Sequence, residues 1–502
     1  MARSPAGVVE AHPADVRWLA VSDPILDRDA LEDCLRLVAE EAANYLANVD
    51  AALVRPPELP EAADGISGPL PNEGAGSLAA LRVLIDAAEV AATRSAGPRF
   101  FHFVMGGGTP AALAADWLTS ALDQIAFNWT SSPFAMRLEQ ISVDWLKELF
   151  GLPAAWSGVL TSGATMANFT GLAAARRWWG LQHGVDVEEH GLSGLPQLPV
   201  LASGHVHASA VKALAMLGVG RQQVRTFAED ATGRLDADAL ERALVGLGGS
   251  PAVLIATAGD VNAGGFDPLA VMADVAEEHG AWLHVDGAFG LFAAVSPATR
   301  GLVSGVERAH SVCVDGHKWL NVPYDCGAVF VQDAELHRGA FTSSAAYLGR
   351  EESDRPVFSN LAPEMSRRAR ALAVWATLSA YGRSGYQSMV ERHVQLAQRL
   401  AEQVDTEDEL ERLADVPLNV VCFRYRPAGV AEEALDDLNR ELGKAVLEDG
   451  RVYFGTTVYG GKVAFRPAIV NWRTRPEDVD LIVPIVLELG ASLLSGGRDL
   501  NR

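Results

Sequence analysis

Lys318 follows closely after an apolar run, a position that suggests a chemical role. The segment SVCVDGHKWLNVPYDCG, residues 311–327, opens with an apolar run typical of a strand and leads into His317 and Lys318. Burying an ammonium group is costly unless it is paired or neutral, and a neutral lysine amine is a nucleophile that forms Schiff bases with aldehydes. A lysine at a strand end that points into water is the alternative, and Lys318 alone does not decide between them.

A carboxylate follows another apolar run and would complement such a lysine. In AWLHVDGAFG, Asp286 ends the run and is followed by the small residues Gly287 and Ala288. An acid beside a pyridine nitrogen keeps it protonated, which makes pyridoxal phosphate (PLP) an electron sink for charge at a substrate Cα. The alternative is an Asp that caps a helix in a strand-helix loop.

Two further segments could hold the other parts of this cofactor. In VLTSGATMANFTG, a turn with Ala164 and Thr165 precedes a predicted helix, whose first N–H groups can bind phosphate, although many Ser- and Gly-rich loops look alike. In LASGHVHASAV, either His205 or His207 could stack on a flat ring, with Ala288 packing on its other face. Together the four segments predict PLP attached to Lys318.

These segments, in this order, resemble the group II pyridoxal-dependent decarboxylase family, which includes aromatic L-amino-acid and glutamate decarboxylases. The resemblance covers roughly residues 100–475 and is most specific in HVDGAFG and VDGHKWLNVPYDCG. It implies a PLP enzyme of fold type I, with a mainly parallel seven-stranded sheet. It also implies an obligate homodimer whose active sites are shared between the subunits.

Carried over position by position, the resemblance implies a role for each site residue. Lys318 carries the cofactor as a Schiff base and Asp286 binds the pyridine nitrogen. His207, rather than His205, is the stacking residue, because HASAVKA matches the stacking-histidine segment of the family. The remaining cofactor contacts that the resemblance implies are Ala164, Thr165, Asn262, Ala288 and His317.

The resemblance also places residues around the substrate. Tyr347, in a polar stretch that is similar to the family's mobile catalytic loop, is the implied proton donor, and an ordinary exposed loop tyrosine is the alternative. Phe127 and Trp129 are placed near the substrate side chain, where apolar rings favour an aromatic amino acid. Arg367 and Arg368 match a basic pair at the start of a helix.

Two positions depart from the family pattern. Asp260 stands where a threonine is common, and an inward-pointing acid there would weaken binding of phosphate or carboxylate. If Asp260 points away, Asn262 is left as the polar contact. Met166 replaces a common Glu or Ser, which alters a hydrogen bond near the phosphate but leaves the backbone N–H groups in place.

The elements that must position these residues follow an α/β pattern. Between about residues 157 and 335, short β-rich runs alternate with helical stretches, which indicates a mostly parallel sheet with ligands at the carboxyl ends of its strands. We expect an N-terminal helical arm that serves dimerisation over residues 1–105. A large PLP-binding α/β domain is expected over 106–365, and a small C-terminal α+β domain over 366–502.

Composition restricts the partners. The 502 residues carry 41 basic and 64 acidic side chains, and 41 − 64 = −23 opposes binding to nucleic acid or an anionic membrane. No apolar run is long enough to span a bilayer, and the first residues lack the apolar core of a secretory signal, so a cytoplasmic location is expected. Four scattered cysteines suggest reduced core thiols, and no metal site is expected.

The function expected from the sequence is PLP-dependent decarboxylation of an L-amino acid, most simply an aromatic one, to the amine and CO2. Three alternatives share the cofactor: an aldehyde synthase, an aminotransferase and a decarboxylase of glutamate or a diamino acid. A further alternative is a non-catalytic member of the fold, for which Asp260 is the only sequence hint.

Overall fold

The computed structural model describes residues 23–56, 66–342 and 355–496. The chain forms two compact units whose boundary lies between Arg94 and Ser95. The domain boundaries expected at 105 and 365 remain predictions. In the described ranges, no helix combines the length and the apolar character that crossing a bilayer requires.

The described residues of the first unit include two α-helices, and the arm expected over residues 1–105 stays a prediction. Helix α1 spans Leu31–Asn48 and follows a 3-10 helix at Pro24–Ala30, which Asp23 caps by accepting a hydrogen bond from the N–H of Ile25. Helix α2 spans Ser77–Ala91, and the N–H of Ser77 donates to the Asp27 carboxylate at 2.7 Å. This hydrogen bond links the start of α2 to the turn before α1.

The second unit contains two sheets. The described strands are β1 (Ser157–Thr161), β2 (Val200–Ala202), β3 (Val224–Thr226), β4 (Val253–Thr257), β5 (Trp282–Asp286), β6 (Ser311–Asp315), β7 (Gly327–Val331), β8 (Leu410–Arg412), β9 (Phe423–Tyr425), β10 (Thr456–Tyr459) and β11 (Lys462–Phe465).

Helices cover the sheets. They are α3 (Pro110–Leu122), α4 (Pro133–Phe150), α5 (Ala164–Gln182), α6 (Val187–His190), α7 (Ala208–Met216), α8 (Ala237–Val245), α9 (Leu269–His279), α10 (Ala334–Gly339), α11 (Ala371–Thr406), α12 (Glu432–Asp449), α13 (Pro476–Val479) and α14 (Ile482–Ser495).

The larger sheet has seven strands in the order β1-β7-β6-β5-β4-β2-β3. Strands β3, β2, β4, β5 and β6 run parallel, whereas β7 is antiparallel to both β6 and β1. Every residue of β4 to β7 is buried, as expected for a sheet covered on both faces. The mainly parallel seven-stranded α/β fold expected from the sequence is therefore confirmed.

The smaller sheet, β10-β11-β9-β8, is antiparallel and packs with α12 and α14 around its own apolar core, in keeping with the α+β region expected there. In the alternating runs at 418–426 and 462–472, the strand ladder extends over only three residues in β9 and four in β11. Strand β3 had no sequence signal, because it is a three-residue edge strand with a mostly exposed surface.

Candidate active site

The functional side chains meet in one cavity of about 240 Å³ at the carboxyl ends of the parallel strands. In the register of the sheet, Asp286 at the end of β5 lies beside Thr257 of β4 and Cys313 of β6, so successive strands deliver polar groups to the same edge. The cavity is bordered by Lys318, Asp286, His207, His205, His317, Thr257, Ala288, Phe289 and the first turn of α5.

Lys318 projects into this cavity from the turn that follows β6. Its Nζ lies 3.0 Å from Oδ2 of Asp315, its side chain is 18% exposed, and it lies 5.7 Å from the centre of the Phe289 ring. The turn itself is tightly enclosed, since a Cβ added to Gly106 would come within 1.9 Å of the Lys318 carbonyl oxygen. Glycine at position 106 is therefore needed for the backbone to approach and fix this turn.

Asp286 is buried and both of its carboxylate oxygens are hydrogen-bonded. Oδ2 accepts a hydrogen bond from Nδ2 of Asn168 at 3.0 Å, and Oδ1 accepts the N–H of Ala288 at 3.2 Å. The Cys313 sulfur lies 3.4 Å from Oδ1 of Asp286 and 3.2 Å from Oδ1 of Asn168, so its one proton can be donated to either. The Asp286 carboxylate therefore borders the cavity in a fixed orientation, because Asn168 of α5 and the N–H of Ala288 in its own loop both donate to it.

His207 and His205 both border the cavity, but in different electrostatic settings. His207 is the N-cap of α7, and its Nδ1 is hydrogen-bonded to Oγ and N of Ser209. Partial desolvation lowers the pKa of His207, so its ring is neutral near pH 7. Desolvation also acts on His205, but a contact with Asp267 and the charge of Asp260 outweigh it, and the pKa of His205 is raised.

The N-terminus of α5 reaches the cavity with Ala164, Thr165 and Met166. The first N–H groups of a helix have no partner within the helix, which suits them to an anion. One of them is already engaged, because the N–H of Ala164 donates to the carboxylate of Asp315. His317 lies beside the same acid, 3.5 Å from its Oδ2, and desolvation lowers the pKa of His317.

Asp260 points away from the cavity. Its carboxylate accepts the N–H groups of Asn262, Ala263 and Gly265 at 2.6–3.2 Å, so it folds back on its own loop. Asn262, expected as a cofactor contact, does not border the cavity, because its Oδ1 accepts the hydroxyl of Thr457 at 2.6 Å. Of the residues in this loop, Gly259 and Val261 are the ones that line the cavity.

Residues expected around the substrate lie outside the cavity wall of this chain. Trp129 is half-buried, donates its indole N–H to the Pro356 carbonyl at 2.9 Å, and lies 4.9 Å under the Arg355 guanidinium. Phe127 is half-buried in the same loop, in which the N–H of Phe127 donates to the carbonyl of Ile125. Tyr347 lies outside the described residues.

The expected basic pair divides into two different settings. Arg367 is buried in an ion pair with Glu139, with its Nη2 2.6 Å from Oε1, and it also donates to the carbonyls of Leu160 and Ala126. Arg368 is partly exposed and pairs with Asp116 at 2.9 Å. Arg367 therefore ties the segment before α11 to α4 and β1, away from the cavity.

Asp315, Phe289 and Asn168 are among the site residues that sequence reasoning missed. Asp315 pairs with Lys318, Phe289 packs beside that lysine, and Asn168 binds Asp286 from the interior of α5. Asp315 had a signal, since it ends an apolar strand three residues before Lys318. Asn168 lies four residues after Ala164, one helical turn along the same face, but nothing in its local sequence separates it from a surface asparagine.

Comparison with known proteins identifies relatives over most of the chain. Residues 83–426 match the family model described as the pyridoxal-dependent decarboxylase conserved domain. The chain is 33% identical over 438 residues to L-2,4-diaminobutyrate decarboxylase of Rhizobium meliloti, covering 85% of this chain and 84% of the relative. It is 29% identical over 389 residues to aromatic-L-amino-acid decarboxylase of Bacillus atrophaeus, covering 76% and 79%.

The fold has a close match among solved structures. The crystal structure of Oryza sativa TDC with PLP and tryptamine superposes with a TM-score of 0.86 at 27% sequence identity. The match covers 93% of this chain and 98% of that one. The similarity therefore extends over nearly the whole length of both chains.

Proposed function

The chain belongs to the pyridoxal-dependent decarboxylase family and is a PLP-dependent amino-acid carboxy-lyase; from this premise we propose that it converts an aromatic L-amino acid into the corresponding amine and CO2. The observation that carries the proposal is the meeting of Lys318, Asp286 and His207 at one cavity. An amine, a buried acid and a flat neutral ring are the groups that PLP needs around its aldehyde, its pyridine nitrogen and its ring face.

The residues at this cavity fit PLP. Oγ1 of Thr257 is buried at the cavity wall and lacks a hydrogen-bond partner among the described residues, which leaves a polar group for a ligand. Ala288 offers a small side chain where a ring would pack, opposite His207. Thr165 and the first turn of α5 would hold the phosphate, and Lys318 would attach the cofactor.

When bound, PLP supplies an electron sink that stabilises negative charge at the substrate Cα after the carboxylate leaves. Asp286 would hold a proton at the pyridine nitrogen, since its own oxygens are fixed by donors from Asn168 and Ala288. His207 would present its ring face with Nδ1 already engaged by Ser209. Asp315 would pair with the Lys318 amine when that amine is protonated, and His317 lies beside the same carboxylate.

Tyr347 remains the proposed donor of the proton that returns to the substrate Cα. Arg355 and Pro356, the first described residues that follow Tyr347 in the sequence, contact Trp129, one of the residues proposed to surround the substrate side chain. In the dimer that we propose, Phe127 and Trp129 would serve the partner's cavity, in keeping with their absence from the cavity wall of their own chain.

Two substrate classes have specific support. An aromatic substrate is favoured by the apolar Phe289, Val261 and Met166 in the cavity wall and by the aromatic decarboxylase among the relatives. L-2,4-Diaminobutyrate is the second candidate, because the relative with 33% identity is named for it.

A substrate comparison tests the proposal. Purified holoenzyme is incubated with L-phenylalanine, L-tyrosine, L-tryptophan, L-2,4-diaminobutyrate and L-glutamate, and amine and CO2 are both quantified. We expect equal amounts of amine and CO2, with the highest kcat/KM for one of the three aromatic substrates. A kcat/KM at least tenfold higher for diaminobutyrate or glutamate would overturn the aromatic proposal, and turnover without amine would overturn the proposed reaction.

A further inference from the structure

A continuous chain of hydrogen bonds runs behind the cavity, between the sheet and α5. On β5, Trp282, His284 and Asp286 alternate in sequence and therefore share one face of the strand. Nε1 of Trp282 donates to Oγ of Ser311 at 3.0 Å, and that hydroxyl lies 2.8 Å from Nδ1 of His284. Nε2 of His284 lies 2.7 Å from Oδ1 of Asn168.

The chain continues from Asn168 to both cofactor-facing residues. Its Nδ2 donates to Oδ2 of Asp286 at 3.0 Å and to Oγ of Ser209 at 3.2 Å. The Ser209 hydroxyl lies 2.7 Å from Nδ1 of His207, which also accepts the N–H of Ser209. One asparagine side chain thus contacts Asp286, the proposed partner of the pyridine nitrogen, and Ser209, which is hydrogen-bonded to the proposed stacking residue His207.

The chemistry of the groups fixes the direction of the hydrogen bonds between Asp286 and Ser311. A carboxylate only accepts, so the NH2 group of Asn168 faces Asp286, and its Oδ1 accepts a proton from Nε2 of His284. Complete burial lowers the pKa of His284 to about 4, so the neutral ring carries one proton; with that proton on Nε2, Nδ1 accepts the hydroxyl proton of Ser311. The Ser311 oxygen in turn accepts the indole N–H of Trp282, which only donates.

The opposite orientation of this amide is excluded by the same contacts. If Asn168 were turned over, its oxygen would face the Asp286 carboxylate and its NH2 group would face the Nε2 proton of His284. Both contacts would be repulsive, in a site where Asn168, His284 and Ser311 are all completely buried and water cannot compensate. The Asp286 carboxylate therefore sets the orientation of the Asn168 amide, and His284 and Ser311 complete the matching set of hydrogen bonds.

We propose that Asn168 and His284 are positioning residues, which act through this chain to orient the Asp286 carboxylate and, through Ser209, the His207 ring for PLP. The inference rests on the proposed function, in that it takes Asp286 as the partner of the pyridine nitrogen. According to this inference, Asn168 links Asp286 to His207, the two proposed cofactor contacts. Ser311 belongs to the same hydrogen-bonded group although it does not border the cavity.

The test measures cofactor affinity rather than turnover. PLP is removed from native enzyme and from the Asn168→Ala, His284→Phe and Ser311→Ala variants, and its Kd is determined by titrating each apoprotein and following the visible band of the bound cofactor. Thr170→Ala is the matched control, because Thr170 is completely buried on the same helix and its hydroxyl donates only to the Met166 carbonyl. The apoproteins are also compared by thermal unfolding.

We expect Asn168→Ala and His284→Phe each to raise the Kd for PLP by about tenfold or more, Ser311→Ala by about threefold, and Thr170→Ala by less than twofold. Because the residues act as one unit, the Asn168→Ala, His284→Phe double variant should be no weaker than its weaker parent. Ser311→Ala keeps the inference testable if the larger changes prevent folding.

Two results would overturn the inference, and a third would contradict the proposed function instead. A native Kd and a native absorption maximum in folded Asn168→Ala, His284→Phe or Ser311→Ala protein would show that Asp286 is oriented without the chain. Kd increases that multiply in the double variant would show that the residues act separately. If Asp286→Asn protein binds PLP with native affinity, Asp286 is not the partner of the pyridine nitrogen. That result would hold whatever the hydrogen-bonded residues behind the cavity do.

Discussion

Replacing Asp286 with asparagine keeps the shape of the side chain and removes the negative charge from the cavity. A hydrogen bond to a charged group contributes about 1.5–3 kcal/mol, which corresponds to a roughly 10–100-fold weaker Kd for PLP when the charge is lost. We therefore expect Asp286→Asn apoprotein to bind PLP about 10–100-fold more weakly, with decarboxylation falling further, since the pyridine proton is then no longer held by charge.

The same substitution should also destabilise the apoprotein. Both oxygens of Asp286 accept from donors, Asn168 on one side and the N–H of Ala288 on the other, so the NH2 group of an amide must face one of them. A buried donor without an acceptor costs about 1–3 kcal/mol, which is the expected loss in the unfolding free energy. Urea denaturation of the apoproteins measures it.

Asp478→Asn is the matched control for both effects. Asp478 is as buried as Asp286, each being 4% exposed. Its carboxylate accepts hydrogen bonds from Nε of Arg99 and from the backbone N–H of Arg475, each at 3.0 Å. It does not border the cavity. Asp478→Asn should lose stability but keep the native Kd for PLP, and an equal Kd for native protein and Asp286→Asn would refute the reasoning.

Arg367→Met should lower the unfolding free energy in urea by about 3–5 kcal/mol, because it leaves Glu139 buried without its cation. Tyr347→Phe should release less amine and more aldehyde, ammonia and peroxide in the presence of oxygen, as quantified together with CO2, because the proposed proton donor is lost. Burial lowers the pKa of His337 to about 4, so the stability it contributes is complete above about pH 6.5 and is lost as the pH falls toward 4. His337→Gln should flatten this part of the urea stability profile.

Each of these three predictions can be contradicted by a specific result. A loss below 1 kcal/mol in Arg367→Met would mean that the ion pair is not needed to hold α4 and β1 to the segment before α11. Native amine output without aldehyde in Tyr347→Phe would make that residue a bystander. An unchanged slope of stability against pH between 6.5 and 4 in His337→Gln would show that another group takes up the proton.

The predicted site residues that the structure brings to one cavity are those that end or follow strongly apolar strands. Asp286 ends such a run, and Lys318 and His207 follow one within a few residues. The carboxyl ends of parallel strands meet at one edge, so their convergence followed from the α/β pattern. Asp260 and Asn262 could not be placed in this way. The Asp260 carboxylate turns toward N–H groups of its own loop, and the order of residues in the loop does not predict this orientation.

The buried polar chain shows a second limit of sequence reasoning. The alternation of Trp282, His284 and Asp286 placed all three on one face of β5, but the facing helix supplies the acceptor and donor that make the face functional. Asn168 reads as a neutral helix residue until α5 is docked on the sheet. Such pairings depend on tertiary contacts between distant segments, which a single sequence does not specify.

Attachment of the cofactor to Lys318 is the central claim, and reduction by borohydride tests it directly. The sequence contains five lysines, Lys147, Lys212, Lys318, Lys444 and Lys462, so peptide mass mapping of the reduced holoenzyme can assign the modified residue without ambiguity. We expect one pyridoxyl group per chain, on the peptide containing Lys318, and none in Lys318→Ala protein treated in the same way. Stable modification of any of the other four lysines, or none in holoenzyme that turns over, would contradict the account.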